Sequence, residues 1–439
     1  MVIAGCGKVS GTPTADAAGP ADAAIDADLS GNATVVTQAA IFGTTGNIGM
    51  IDIVSMLPNN TVLATGQTGA GGNATIKVYP GGSVTAIYKH TINMGSDLIT
   101  WVGVKPGDTL TFGNRNPTTT GQTSTPLGSQ TYTWPALGTA NFFETWTECG
   151  LGFFSSSGTT SVSIAESSLC HQEPMTILYS AYDVNGELIN TGVLGGLAFS
   201  SGASVALSTW NASASAMISI TGLPSQITSV NSTFRNVLDP KAGPFSDFTA
   251  SSVYNGTPTG GAFTATFKVA QAGVRTLGAI TFARPGYRSM QLYDAFSTGT
   301  LTQTVASPVL PPWGQSSTIA STGLRQASWF YVPDAASSSK GEILHVAWLH
   351  TIASVSHPSQ WDFILPPGQT TIDFPDLPAP LDANLPASED TLTSSNTRVF
   401  DIPTIPSYDM LRTLPAADLL CLECGVRAND FQRVVFSTM

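Results

Sequence analysis

The chain has 439 residues, 42% of them apolar and only 10% charged, with a formal net charge of −12 at pH 7. The apolar share excludes wholesale disorder, and the length exceeds one ordinary core, pointing to about three or four domains. Charged residues fall far below the roughly 25% of ordinary globular proteins, so solubility rests on small polar side chains, and the 43 Gly and 28 Pro fit an extracellular all-β protein.

In chain order, the first feature is "MVIAGCGKVSG". Ile3-Ala4-Gly5-Cys6 resembles the bacterial lipobox, in which a branched apolar residue and two small ones precede a cysteine that is lipidated and becomes N-terminal. Gly11 to Ala33, "GTPTADAAGPADAAIDADLSGNA", has almost no large apolar residue and cannot offset its ordering entropy, so residues 7–33 are expected to be a disordered tether. An Asp/Ala tether directly after a lipobox is similar to those of surface lipoproteins from Gram-negative bacteria. A signal peptide needs a basic segment and an apolar stretch of roughly 7–15 residues, and only Met1 to Gly5 precede Cys6. Two alternatives stand: residues 1–6 are the remnant of a longer signal, or the match is accidental.

Strand-like runs follow, punctuated by Gly, Pro and Asn. "GAFTATFKVA" puts Phe263, Ala265, Phe267 and Val269 on one face and Thr264, Thr266 and Lys268 on the other, the period of a half-buried strand. "NATIKVYPGG", "DTLTFG", "MTILYSAYDVNGELINTGVL" and "EILHVAWLHTIAS" predict further strands, with Asn185-Gly186 as a tight hairpin turn. "SYDMLRTLPAADLL" predicts a short helix broken at Pro415. Many short strands with regular turn signals imply several Ig-like or transthyretin-like sandwiches.

Residues 48–88 carry a Pro58-Asn59-Asn60 turn, a strand ending in "TGQT", a Gly-rich turn from Gly69 to Asn73, and "PGGSVT" from Pro80 to Thr85. This pattern resembles the carboxypeptidase-regulatory (transthyretin-like) β-sandwich, which implies a non-catalytic module. The expected division is 34–127 for that module, sandwiches over 128–210, 211–308 and 309–384, and a C-terminal extension over 385–439. "ASPVLPPWG" at 306–314 and the Pro-rich "FPDLPAPLDANLPASED" read as linkers.

Setting Cys6 aside leaves Cys149, Cys170, Cys421 and Cys424, an even set suited to disulfides in an exported protein. A Cys149–Cys170 bridge would stabilise by about 3 kcal/mol on the chain-entropy account. Cys421-Leu422-Glu423-Cys424 is read as a small structural disulfide, because redox C-x-x-C sits in an α/β context and zinc would want two more ligands nearby. His345 and His350, an odd five apart on one strand, face opposite ways, and His357 before Pro358 is expected in a loop, so no shared metal is expected. Asp183, Asn185 and Glu187 give a hairpin turn rather than a complete calcium loop. Trp134, Trp146 and Trp313 invite a sugar-stacking reading, with core packing the default.

No catalytic residue, metal site or cofactor is therefore expected. The negative field repels nucleic acid, with no Lys/Arg cluster to offset it, and no uncharged apolar run approaches the length of a membrane helix. The reading is a surface protein of the outer membrane, partnered with the membrane through a lipid on Cys6 and with a cell-surface polysaccharide or protein, serving binding, adhesion or envelope structure. A secreted carbohydrate-active enzyme and a virion or appendage protein are the alternatives.

Overall fold

The computed structural model describes residues 29–41, 44–90, 95–114, 125–147, 153–168, 171, 173–237, 249–270, 275–296, 301–306, 310–319, 325–332, 339–352, 355–422 and 433–438. Within them the chain is almost entirely β-strand, with only short helical turns. The expected strands form, and in Phe263–Val269 the alternation is as read, with Phe263, Ala265, Phe267 and Val269 buried and Thr264 and Thr266 exposed.

Twelve strands make one continuous sheet. Its order is Thr249–Gly256, Ser229–Val237, Arg275–Arg284, Tyr287–Phe296, Val434–Thr438, Thr391–Asp401, Gly341–Ile352, Val355–Leu365, Ser96–Val104, Gly82–Lys89, Asp52–Met56 and Val62–Gln67. Most pairs are antiparallel, but Val355–Leu365 runs parallel to Ser96–Val104, with Phe363 opposite Thr100. The Tyr408 hydroxyl lies 2.8 Å from the carbonyls of both Val102 and Ile364, spanning this joint.

Smaller sheets face the long one. Gly31–Ile41 pairs with Asn73–Val78 and Thr109–Asn114, and Ala33, Val35, Ile76, Val78, Leu110 and Phe112 pack on Ile53, Val84, Ala86 and Trp101. On the opposite side of the same strands, Val54, Met56, Ile87 and Leu98 pack with Trp329, Trp348, Trp361 and Phe363. The central strands are thus covered on both faces, the condition that removes alternation from a sequence. Ala214–Thr221 and Phe263–Val269 cover the far end of the sheet, facing Val230, Phe234, Ile280 and Phe282. Residues 126–212 form a separate sandwich of a three-stranded and a five-stranded sheet around Tyr132, Phe143, Ile164 and Ile177.

Three expectations are corrected. Thr391–Asp401 and Val434–Thr438, from the expected 385–439 extension, are interior strands of the long sheet. Neither Pro-rich stretch stands off as a linker. In the first, Leu310 and Trp313 are buried in one core, and Trp313 and Gly314 already pair as the start of strand Trp313–Ile319. The second docks as a strap, with Phe374, Leu377, Leu381 and Leu385 buried in another core. Proline removes a donor, so such segments can pad a sheet without extending it. Strand pairing also begins at Gly31, inside the expected tether, and Ala33 is buried.

Candidate functional site

A half-open cleft of about 210 Å³ lies where two turns of the N-terminal strands meet the 369–375 segment. Its floor is Ser83, Thr100 and Val102, paired neighbours whose side chains project from one face of the long sheet. Thr100 Oγ1 accepts from Trp361 Nε1 at 2.7 Å and lies 2.8 Å from Thr85 Oγ1, which fixes it. The Oγ of Ser83 is buried and has no hydrogen-bond partner among the described residues.

Both turns are forced into shape locally. Asn60 takes a left-handed backbone, φ 64°, a conformation Asn tolerates better than most residues. Its side-chain amide donates to the Asp373 carbonyl at 3.1 Å, latching the turn to the opposite wall. Gly82 packs so closely on the neighbouring strand Asp52–Met56 that a Cβ would sit 2.2 Å from the Met56 carbonyl oxygen, so only glycine fits. The far wall hangs on the neighbouring small sheet: Trp329 N donates to the Thr370 carbonyl at 2.9 Å, and Gln326 Nε2 to Asp373 Oδ1 at 2.7 Å.

Behind that wall sits Glu342, 1% exposed. One carboxylate oxygen accepts from Gly368 N at 2.7 Å; the other accepts from the Tyr331 hydroxyl at 2.6 Å and Trp329 Nε1 at 3.3 Å. Burial outweighs those donors and pushes Glu342 up to about 7. Asp373 is the only charged side chain among the described lining residues, so the cleft is polar with a single negative charge at its rim.

The residues singled out by sequence are dispersed. Cys6, Cys149, Cys170 and Cys424 lie outside the described residues. Cys421 ends the short helix Ala416–Leu420 and is disulfide-bonded. His345 pairs with Asp362 at 2.8 Å and His350 with Asp390 at 2.5 Å. His357 is not in a loop: it lies within Val355–Leu365, opposite His350. Among the described residues, no three His, Cys, Asp or Glu side chains gather as a metal site. Asp183 accepts from the backbone of Asn185 and Glu187 at 2.8 Å each, a self-contained turn. Trp134 and Trp313 are buried in cores and Trp146 is partly buried.

Sequence reading missed Ser83, Thr100, Gln369 and Asp373 as a group. The two turns were visible as turns, but nothing local announces that residues some 300 positions apart meet there.

No family model and no curated protein matches the chain. Among solved structures it is similar to the TIE protein of Bacillus anthracis, at 12% identity over 63% of this chain and 50% of that one, TM-score 0.16. A candidate adhesin from Bacteroides ovatus aligns at 9% identity over 42% of this chain and 95% of that one, TM-score 0.18. The shaft pilin spaA of Lactobacillus rhamnosus GG aligns at 10% identity over 64% of this chain and 100% of that one, TM-score 0.15. The chain spans half the length of the Bacillus anthracis protein. Likeness at such TM-scores carries no argument, and the all-β assignment rests on the strands and cores described above.

Proposed function

We propose that this chain is an exported binding protein, displayed on the outer-membrane surface by a lipid on Cys6 and engaging its partner with a rigid β scaffold. The observation that carries the binding reading is the cleft, a preformed recess latched from both sides by Asn60 and Gln326. Among the described residues one carboxylate, that of Asp373, lines it. Glycosidic cleavage takes two carboxyl groups flanking the bond, so the lining favours recognition over hydrolysis. Low charge and the even cysteine set support export, with Cys149–Cys170 and Cys421–Cys424 as the proposed bridges.

The lipid would act through apolar burial of about 0.8 kcal/mol per methylene, so several chains on one cysteine hold their cargo where one holds it only marginally. The test uses the reading frame restored upstream of Met1. Cys6→Ser should abolish fatty-acid labelling and block maturation, and protease applied to intact cells should digest the parent protein. Unchanged processing and location of the variant would show that the lipobox match is accidental.

A further inference from the structure

From the chemistry of the cleft, we propose that it binds a single neutral sugar residue, the terminal ring of a surface glycan. This inference rests on the binding role proposed above.

Four observations converge on that ligand class. The first is the Ser83 hydroxyl on the floor, buried and unpartnered among the described residues. A buried polar group normally finds a partner. The Oγ is closed to solvent in the free protein, so a ligand hydroxyl would supply one once the Ser83 side chain turns towards the cleft that it lines. The second is charge. The described lining residues include no cation to hold a phosphate or carboxylate, and Asp373 at the rim repels both. A cation would meet one carboxylate only, exposed and already accepting from Gln326, while the floor offers the Ser83 and Thr100 hydroxyls and the Val102 side chain.

The third observation is the mixture of surfaces. Asn60, Gln369, Thr371 and Asp373 bring amide, hydroxyl and carboxylate groups, while Pro58 and Val102 present C–H surface. A sugar ring has the same division: hydroxyls around its edge and C–H groups on its faces. The fourth is size. The space of about 210 Å³ is below the roughly 300–1,000 Å³ of ordinary ligand sites, so it admits one ring and not an oligomer. Among the described residues no open aromatic face lines it, since Phe363 is fully buried. Binding is therefore expected to be weak, with a Kd of about 1 mM, and to become useful through many copies displayed on one surface.

The experiment titrates the full chain with a panel of methyl glycosides of neutral hexoses and N-acetylhexosamines, observed by saturation-transfer NMR. Glucuronate and a lysine amide serve as charged controls. At least one neutral glycoside should bind, and Ser83→Ala should weaken it about tenfold, the order of one lost hydrogen bond. The same variant should leave the melting temperature unchanged or raise it, because it removes a polar group that lacks a partner in the free protein. A second variant, Thr371→Val at the rim, should weaken binding without unfolding the floor.

Binding of the charged controls alone, or neutral binding indifferent to both variants, would overturn the assignment. If no glycoside binds while the purified chain still adheres to cells, the sugar inference fails and the binding role survives. If neither occurs, both fail.

Discussion

Residues 126–212 and the centre of the long sheet are both β-rich, but they are built on opposite principles. In the first, every strand finds its partners within the segment, and the two sheets close on a core of their own. Its three-stranded sheet carries an alternating strand, Ser161–Ser167, buried at Ile164 and Glu166 with Ser163 and Ala165 exposed before and between them. Met175–Tyr182 in the five-stranded sheet is instead buried at every position but Thr176. In the second, Gly82–Lys89 is buried along almost its whole length, and Ser96–Val104 takes as its neighbour a strand some 260 residues away. The first depends on local contacts. The second exists only when both ends of the chain are in place, the kind of pairing that must close a long loop before it is rewarded.

The contrast is sharpest at tryptophan. Trp361 is fully buried at the parallel joint, stacked on Phe363 and bonded to Thr100. Trp134 is buried in the 126–212 core, bonded to the Thr159 carbonyl at 3.0 Å. Truncating a buried Trp to Ala costs about 3–5 kcal/mol, so the two variants should be similar in size and different in reach. Hydrogen exchange should show Trp361→Ala deprotecting 82–104 and 341–365 together, and Trp134→Ala deprotecting 126–212 alone. If Trp361→Ala leaves 82–104 protected, the N-terminal strands do not need the joint, and the comparison collapses.

How much of this was legible follows the same division. Where one face meets solvent, as in Phe263–Val269, the alternation announces a strand. Where both faces are covered, the pattern vanishes: Ser83, Thr85 and Thr100 look like surface residues and are buried. The Pro-rich stretch after Ile372 reads as a break because proline punctuates it, yet Phe374, Leu377, Leu381 and Leu385 recur every three or four residues and all dock on the sheet. That spacing was an available signal. The cleft had no comparable one, since Ser83 and Asp373 lie some 290 positions apart and meet only through tertiary packing, the Asn60 latch and the docking of the small sheet on the long one.

A second, somewhat smaller effect is set by buried acids, of which Glu342 and Glu144 represent the two regions; Glu166 in the sandwich is raised by burial as well. Glu342 lies behind the cleft wall, and Glu144 in the sandwich accepts from Tyr182 at 2.8 Å; burial pushes each up to about 7. A folded acid value above the unfolded 4.5 means that the native state holds its proton more tightly. The corresponding stability is fully present below about pH 4.5, is lost as pH rises towards 7, and changes little beyond that. At 1.36 kcal/mol per pH unit, each group accounts for about 3 kcal/mol. Glu342→Gln should flatten the decline in the transition that reports the long sheet, and Glu144→Gln the decline in the transition that reports the sandwich. Midpoints measured in denaturant from pH 4 to 8 check this; a decline of equal slope in parent and variants would show that these carboxyls are ionised in the native state throughout.

The smallest effect lies beside the joint, where the N-terminal strands touch a third segment, the short helix Tyr408–Leu411, in solvent. Lys105, in the turn after Ser96–Val104, donates to Asp409 at 2.6 Å, and that bond, helped by Arg412, holds Asp409 below its usual range. Both side chains of the Lys105–Asp409 pair are about half exposed, at 51% and 57%. Exposed pairs contribute about 0–1 kcal/mol and weaken with salt. Arg412, by contrast, is 3% exposed and reaches both Asp108 and Asp409 at 3.0 Å, so it continues to join the segments when Lys105 is gone. Lys105→Ala should therefore lower stability by less than about 1 kcal/mol at pH 7 and low salt. Because the Asp409 value is depressed, this small loss should be present above pH 3.8 and disappear as acid protonates the carboxyl. It should also disappear in high salt, while the effect of Trp361→Ala persists there. A salt-resistant loss from Lys105→Ala as large as the Trp361→Ala loss would mean that the joint is held at its surface and not by the core beneath it.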